Sequence, residues 1–392
     1  MTYQLMTAFL CLALAGCGSV CAASSGQIGP WDLKSLRQPP KLDVIETKGN
    51  LRSVYYDGEP YRGKPTRVFA YLATPEHLEG NAPAIVLVHG GAGRAFADWA
   101  QMWASRGYVA LAMDVFGQGP DGKHADDGGP NLDPGTLYPR EAKEGWTYAA
   151  IAEVVRGVSL LASLPEVDPK RIGITGVSWG GYLTCIAAGV DDRLKAAAPV
   201  YGCGYLHEAS IWSSEIKGLP EEQRKVWIDS LDPSRYLPQA KAPMLFINGT
   251  NDHCFYLDSY QKSYRLVRNR TVCVKVEMPH DQGSGAFPVE IGIFMDQHLR
   301  KGKALPGLGK PKRRGDLVQV RFKSSDSVRK AELCFTTDTG AWEQRKWQTR
   351  EAKIDGQTIS AELPVERPLT YFISVTDYHG ASVTTEHESI AE

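Results

Sequence analysis

Residues 171–182 have the sequence Arg-Ile-Gly-Ile-Thr-Gly-Val-Ser-Trp-Gly-Gly-Tyr. The apolar run that ends at Thr175 predicts a short buried strand, and the apolar stretch from Tyr182 to Val190 predicts a helix. Between them lies Gly-x-Ser-x-Gly, and a strand, this motif and a helix together form a nucleophile elbow. The turn is so sharp that the backbone of Ser178 is strained, which leaves its hydroxyl exposed above the sheet edge.

The two glycines of the motif, Gly176 and Gly180, have a steric role. We expect any side chain at either position to collide with the neighbouring strand and helix. The helix that follows Ser178 begins with free backbone N–H groups and the positive end of its dipole, and both favour an anion beside the serine. The stretch therefore predicts a nucleophile at Ser178.

The chain has 392 residues, enough for a large core and for two domains. Its apolar content of 43%, charged content of 23% and formal net charge of −1 are those of an ordinary globular protein. With no basic excess, the composition argues against a nucleic-acid partner. After the N-terminus, no apolar run of the sequence is long enough to span a membrane.

The N-terminus has the features of an export signal. Residues 1–22 contain no charged side chain and include the apolar run Ala8–Ala15. Leu14-Ala15-Gly16-Cys17 resembles a bacterial lipobox, which would make Cys17 a lipidated first residue that tethers the protein to a membrane. Val20-Cys21-Ala22 would serve equally as an ordinary signal-peptidase site. The segment predicts an exported protein: periplasmic, an outer-membrane lipoprotein, or secreted.

Five cysteines follow this segment, an odd and sparse set that is no disulfide framework. We expect most of them to be small core residues. Cys203 and Cys254 follow predicted strands that should be neighbours, so an exported protein could join these two in a disulfide.

Between about residues 53 and 300, predicted strands and helices alternate. The predicted strands are Ser53–Asp57, Pro65–Ala73, Ala84–Val88, Tyr108–Asp114, the run ending at Thr175, Lys195–Tyr201, Ala242–Asn248 and Thr271–Met278. This alternation requires an α/β fold, with a mostly parallel sheet and helices on both faces. Residues 24–50 are predicted as a polar lead-in, and residues 202–240 as a segment that caps the pocket.

Ser178, Asp252 and His280 each lie just beyond the carboxyl end of a predicted strand, where open α/β sheets place their sites. In this arrangement Ser178 attacks a carbonyl carbon, His280 carries its proton, and Asp252 holds the imidazole and stabilises its positive charge. Asp258 and Asp281 are the alternative acids.

The glycine-rich turn His89–Gly93 follows another predicted strand and lets backbone amides approach a ligand. It lacks the Lys-Ser/Thr ending of a phosphate loop, so we predict that the amides of Gly91 and Trp179 bind the oxyanion. Three aromatic residues of the capping segment are candidates for the substrate pocket: Tyr205, Trp212 and Tyr236. No ligand spacing indicates a metal site, and no motif indicates a cofactor.

These motifs support a resemblance. Residues from about 53 to 300 resemble the α/β-hydrolases, close to the dienelactone hydrolases, acetylxylan esterases and prolyl-oligopeptidase catalytic domains. The resemblance is carried by His89-Gly90-Gly91, Asp114 with its Phe-Gly-Gln-Gly, Gly176–Gly181, Gly249-Thr250-Asn251-Asp252 and His280. It implies an α/β-hydrolase fold and an exported serine esterase that acts on acylated carbohydrate. Dienelactone hydrolases typically use cysteine where this chain has Ser178, and the segment before the sheet is too short for a peptidase propeller.

A domain boundary is predicted near residue 300, after a catalytic domain over 24–300. The stretch 300–315, RKGKALPGLGKPKRRG, has seven basic residues, four glycines and two prolines. It predicts a linker over 301–315, either solvated or in contact with an anionic surface. Regularly spaced short strands beyond it predict a small all-β sandwich of the immunoglobulin type over 316–392. Its Trp342 and Trp347 are candidates for sugar stacking or for packing.

Three functional hypotheses follow. The first is a serine esterase without metal or cofactor, acting on a small ester or an acylated carbohydrate through an acyl-enzyme. The second is a serine peptidase that acts on short peptides. The third is a polysaccharide-adhesion lipoprotein whose hydrolase domain has lost its activity.

Overall fold

The computed structural model describes residues 28–391. The predicted export signal and Cys17 lie outside the described residues. Within the described range, no helix combines the length and apolar character that a membrane span requires.

A nine-stranded sheet forms the larger part of the fold, in the order β1-β2-β3-β5-β4-β6-β7-β8-β9. Its strands are β1 Leu42–Lys48, β2 Leu51–Asp57, β3 Arg67–Ala73, β4 Ala82–Val88, β5 Val109–Met113, β6 Val167–Val177, β7 Leu194–Val200, β8 Met244–Gly249 and β9 Arg270–Lys275. Strands β1, β2 and β3 run antiparallel at one edge, and the other six strands, β4 to β9, run parallel to one another. Strand β4 is buried along its whole length, as its continuous apolar run predicts.

Helices cover both faces of this sheet. The helices of the described residues are α1 Leu33–Leu36, α2 Ala97–Ser105, α3 Pro134–Leu137, α4 Trp146–Ser163, α5 Trp179–Val190, α6 Ser213–Gly218, α7 Glu221–Val226, α8 Leu257–Arg265, α9 Gln282–Ala286 and α10 Val289–Leu299. Of these, α2, α4, α5, α9 and α10 pack on the strands. Two glycines of β6 show the two faces, because a Cβ on Gly173 would meet Met295 and Leu299 of α10, whereas one on Gly176 would meet α5. The predicted α/β architecture is confirmed.

The sheet order has a switch point at β4 and β6. The chain leaves β4 towards β5 on one side and then crosses back to β6 on the other side of β4. Val88 at the end of β4 pairs with Gly176 at the end of β6. Ligand sites of open α/β sheets lie at such a point, outside the carboxyl ends of the strands.

Two smaller antiparallel sheets follow residue 300. The first has the order β10-β12-β16-β15 with β11 beside β12, and the second has the order β14-β13-β17-β18 with β19 beside β17. Their strands are β10 Gly307–Leu308, β11 Lys312–Arg314, β12 Leu317–Lys323, β13 Val328–Thr336, β14 Gln348–Glu351, β15 Lys353–Asp355, β16 Thr358–Glu362, β17 Leu369–Asp377, β18 Ser382–Thr384 and β19 Glu388–Ile390. Burial alternates along β12, as the sequence predicts for a strand with one solvated face. The predicted all-β C-terminal part is confirmed.

Two segments predicted without regular structure contain strands. Strand β1 lies in the predicted polar lead-in, and β10 and β11 lie in the predicted linker, where β11 pairs with Leu317–Gln319. Strands β1 and β11 are largely exposed, so neither carries the alternation of apolar and polar residues that indicates a strand. Backbone pairing with a neighbour, which leaves no mark in the sequence, holds them in place.

Candidate active site

The turn between β6 and α5 holds Ser178 in a strained conformation. Its φ of 57° and ψ of −118° are far from those of ordinary L-residues. The Ser178 N–H donates to the Val200 carbonyl at 2.9 Å, which ties the turn to β7. A Cβ on Gly176 would overlap the Gly180 carbonyl, and a Cβ on Gly180 would overlap the Val88 carbonyl. The predicted steric role of both glycines is confirmed.

Three side chains from the ends of three strands form one chain of hydrogen bonds. His280 Nε2 lies 2.9 Å from Ser178 Oγ, and His280 Nδ1 lies 2.7 Å from Asp252 Oδ2. The other carboxylate oxygen, Oδ1, accepts the N–H groups of Cys254 and Phe255 at 2.8 and 2.7 Å. Asp252 is buried while Ser178 is half-buried, so the acid is enclosed and the hydroxyl can be reached from solvent.

The two alternative acids have other partners. The Asp281 carboxylate caps α9 by accepting from the N–H and hydroxyl of Ser284. The backbone hydrogen bond from Ser284 lowers the pKa of Asp281 below its usual value. Asp258 accepts from Trp342 Nε1 at 2.8 Å. Neither carboxylate contacts His280 through a hydrogen bond, whereas Asp252 does.

Buried hydrogen bonds fix the glycine-rich turn after β4. His89 Nδ1 lies 2.8 Å from the Gly90 carbonyl, and His89 Nε2 lies 3.1 Å from the Val115 nitrogen. A Cβ on Gly91 would lie 3.1 Å from Trp179 Cδ1, so the turn packs directly against the residue after the serine. No group within residues 28–391 accepts a hydrogen bond from the N–H of Gly91 or Trp179, which leaves both amides available to a ligand.

Aromatic rings surround His280, and sequence reasoning missed them. The Tyr201 ring stacks on the imidazole with centroids 4.3 Å apart, and its hydroxyl donates to the Pro279 carbonyl at 2.6 Å. The Phe255 ring lies parallel to the imidazole at 6.0 Å, and the His253 ring lies 5.1 Å away. Tyr201 directly follows β7 at the same sheet edge as Ser178. This position in the sequence could have indicated that Tyr201 lies at the site.

The three predicted pocket residues have different surroundings. Trp212 packs on Trp179, with ring centroids 4.5 Å apart, and thus lies next to the elbow. Tyr205 is half-buried beside His207, and the Lys262 ammonium lies over its ring. Tyr205, Trp212 and Tyr236 were predicted as pocket residues only because they are aromatic and lie in the capping segment.

The prediction for Tyr236 is wrong. This side chain is buried, packs against Trp31 and donates its hydroxyl to the Ser230 carbonyl. Its backbone lies against Gly189 near the far end of α5, about 16 Å along the helix from Ser178. An aromatic residue in a capping segment can face the core as easily as the pocket, and Tyr236 faces the core.

The described cysteines are free thiols: Cys185, Cys203, Cys254, Cys273 and Cys334. The proposed disulfide between Cys203 and Cys254 is therefore absent. Cys203 is buried, and burial raises the pKa of its thiol well above the usual value.

Asp252, Cys254 and His280 bring three potential metal-ligand atoms within 4.8 Å of one another. Two of the three groups already bind each other, and burial raises the pKa of the Cys254 thiol to about 12. A protonated thiol is a poor metal ligand. The donor set therefore suits a proton-transfer chain better than a metal.

The chain is similar to several known proteins. Residues 38–209, less than half of the chain, match the family model described as Acetyl xylan esterase (AXE1). An acetyl xylan esterase from Paenibacillus sp. R4 is 24% identical with a TM-score of 0.56, and the match covers 68% of this chain and 92% of that one. Acetyl xylan esterase 1 from Thermoanaerobacterium sp. JW/SL YS485 is 18% identical with a TM-score of 0.54, covering 69% and 96%.

Among curated proteins, the "uncharacterized peptidase YuxL" of Bacillus subtilis (strain 168) is 26% identical over 204 residues. That match covers 47% of this chain and only 28% of the relative. The predicted resemblance is confirmed by the family model and by the two esterase structures. The chain has the α/β-hydrolase fold and is similar to the acetyl xylan esterases of that superfamily.

Proposed function

We propose that the protein is a serine hydrolase that cleaves carboxylic esters through an acyl-enzyme. The observation that carries the proposal is the hydrogen-bond chain from Ser178 through His280 to Asp252. Ser178 Oγ attacks the carbonyl carbon while His280 Nε2 takes its proton, and Asp252 stabilises the imidazolium. His280 then gives the proton to the leaving alcohol. Water, activated by the same imidazole, hydrolyses the acyl-enzyme and restores Ser178.

The oxyanion of each tetrahedral intermediate would be bound by the amides of Gly91 and Trp179. Both N–H groups are unused within the described residues, and the Trp179 amide lies at the N-terminus of α5, where the helix dipole favours negative charge. One such donor is typically worth roughly 3–4 kcal/mol of barrier. The Trp179 amide belongs to a helix, and the Gly91 amide belongs to a turn that the buried His89 hydrogen bonds hold, so both donors are already in place when the charge develops.

Short acyl esters, acetyl first, are the proposed substrates, carried by a carbohydrate alcohol. The description of the family model that matches residues 38–209 supports an acetylated polysaccharide. The Trp212 ring beside Trp179 offers a flat apolar surface near Ser178 for a sugar ring or a small acyl group. Export, proposed from residues 1–22, would bring the enzyme to such polymers.

A serine peptidase is the second candidate, favoured by the curated relative described as a peptidase. A substrate panel separates the two: p-nitrophenyl acetate and acetylated xylo-oligosaccharides on one side, aminoacyl p-nitroanilides on the other, with Ser178→Ala as the blank. We expect kcat/KM for acetyl esters to be higher by at least about a hundredfold, or roughly 2.7 kcal/mol. Faster cleavage of the anilides would overturn the esterase proposal in favour of the peptidase.

A further inference from the structure

Asn251, the residue before Asp252, binds the C-terminal β domain. Its side-chain Nδ2 faces three backbone carbonyls of that domain, those of Trp342 and Glu343 at 3.3 Å and that of Arg345 at 2.6 Å. Its Oδ1 accepts the hydroxyl of Thr250 at 2.7 Å. Both ends of the Asn251 amide therefore have partners, and Nδ2 contacts residues that lie about 90 positions later in the sequence.

The accepting turn is itself firmly held. Trp342 Nε1 donates to Asp258 Oδ2 at 2.8 Å, at the start of α8. The Arg345 guanidinium stacks on the Trp342 ring at 3.6 Å, and the His387 ring packs on the same indole at 5.6 Å. Trp342 is buried, so of its two predicted roles, packing and sugar stacking, the structure supports packing. The turn thus offers Asn251 a fixed set of acceptors.

The loop that carries Asp252 is also held within the larger sheet domain, where Asn248 Nδ2 donates to the Phe255 carbonyl at 3.0 Å. Thr250 anchors one side, since its N–H donates to the Lys275 carbonyl and its hydroxyl accepts from the Glu277 N–H. On the other side, the Cys254 carbonyl accepts the N–H of Ile211. The Cys254 and Phe255 amides hold the Asp252 carboxylate from the following residues, and Asn251 ties the preceding residue to the C-terminal β domain.

We infer that the C-terminal β domain is part of the active site, in that it positions Asp252 through Asn251. Asn251 is a positioning residue, and this role rests on the serine-hydrolase function proposed above. Other contacts of the domain lie elsewhere: Glu386 pairs with Arg265 and Arg270 at the end of α8 and the start of β9. Docking of the domain and placement of the acid are therefore separable by mutation.

A double-mutant cycle on the full chain tests this role, with p-nitrophenyl acetate as substrate and Ser178→Ala as the blank. We expect Asn251→Ala to lower kcat by about 10- to 100-fold with KM within about twofold, because the acid is misplaced while the binding surface is unchanged. In an Asp252→Asn background, the same substitution should lower kcat by less than about threefold, since there is no carboxylate left to position. Glu386→Gln, which removes the interdomain ion pairs with Arg265 and Arg270, should keep kcat within about twofold.

Two results would overturn the inference: full activity of Asn251→Ala, or the same loss of kcat in both backgrounds. Trp342→Phe, which keeps a smaller aromatic ring and removes the hydrogen bond to Asp258, provides a milder probe if Asn251→Ala does not fold. Its kcat should fall by about three- to tenfold and show the same dependence on Asp252; an undiminished kcat would count against the role. If Ser178→Ala keeps wild-type activity, the proposed function fails; an active wild type with an additive cycle refutes the positioning role alone.

Discussion

Replacing Gly180 by alanine should damage the proposed active site without touching a proposed catalytic side chain. The new methyl group would lie 2.6 Å from the His89 carbonyl oxygen and closer still to that of Val88, whereas real Cβ atoms stay beyond 3.0 Å of such atoms. Both oxygens belong to backbone, so the end of β4 and the start of α5 must separate by about 1 Å to bring the Val88 contact to 3.0 Å. Overpacking of this kind costs about 1–3 kcal/mol, against a gain of about 1 kcal/mol from alanine in a helix.

The kinetic effect should exceed the loss of stability. The end of β4 carries Gly91, so its displacement moves one proposed oxyanion donor away from Ser178. A misplacement near 1 Å can cost about a hundredfold in rate, and we expect kcat of Gly180→Ala to fall by that order with KM little changed. Gly218→Ala is the matched control, because this helical glycine has nothing within 4 Å of its Cβ position. If the two variants show equal kcat and equal free energy of unfolding, the steric account of the elbow is refuted.

Two further predictions concern the surroundings of the site. Burial lowers the pKa of His387 to about 4. Between pH 6.5 and 4 the unfolded chain therefore binds a proton that the folded chain does not. The free energy of unfolding should fall by up to about 3 kcal/mol as the pH falls through this range. Urea unfolding at pH 7 and 4.5 should show this loss in the wild type and a smaller one in His387→Gln; equal losses would refute the assignment. Tyr201→Phe removes the hydrogen bond to the Pro279 carbonyl and keeps an aromatic ring on His280, so the free energy of unfolding should fall by about 1 kcal/mol and kcat severalfold. Tyr201→Leu, which also removes the ring, should lower kcat further. Identical kcat values for the two variants would contradict a role for the stacked ring.

Local patterns were enough to predict the elbow and the positions of the three hydrogen-bonded residues. A buried parallel strand is recorded in a continuous apolar run, and the carboxyl ends of parallel strands meet at one edge. Ser178, Asp252 and His280 could therefore be placed together from their positions after three such runs. The need for glycine at positions 176 and 180 could be predicted because the atoms that exclude a side chain there belong to the same turn or to the adjacent strand.

What could not be predicted depends on contacts between distant parts of the chain. Asn251 meets the 342–345 turn across about 90 residues, and no periodicity marks either partner. Tyr236 shows the same limit, because an aromatic residue in a capping segment carries no sign of which side it faces. The exposed strand β11 is held by pairing alone, so its basic composition predicted a linker instead.

The most direct test of the central claim, a serine nucleophile at Ser178 activated by His280, is labelling with a fluorophosphonate followed by peptide mapping. Cleavage at Arg171 and Arg193 releases residues 172–193, in which Ser178 is the only serine. We predict one label per chain on this peptide at Ser178, and labelling slowed by several orders of magnitude in His280→Ala. A catalytically active wild type that carries no label on Ser178, or labelling that is as fast without His280, would contradict the account.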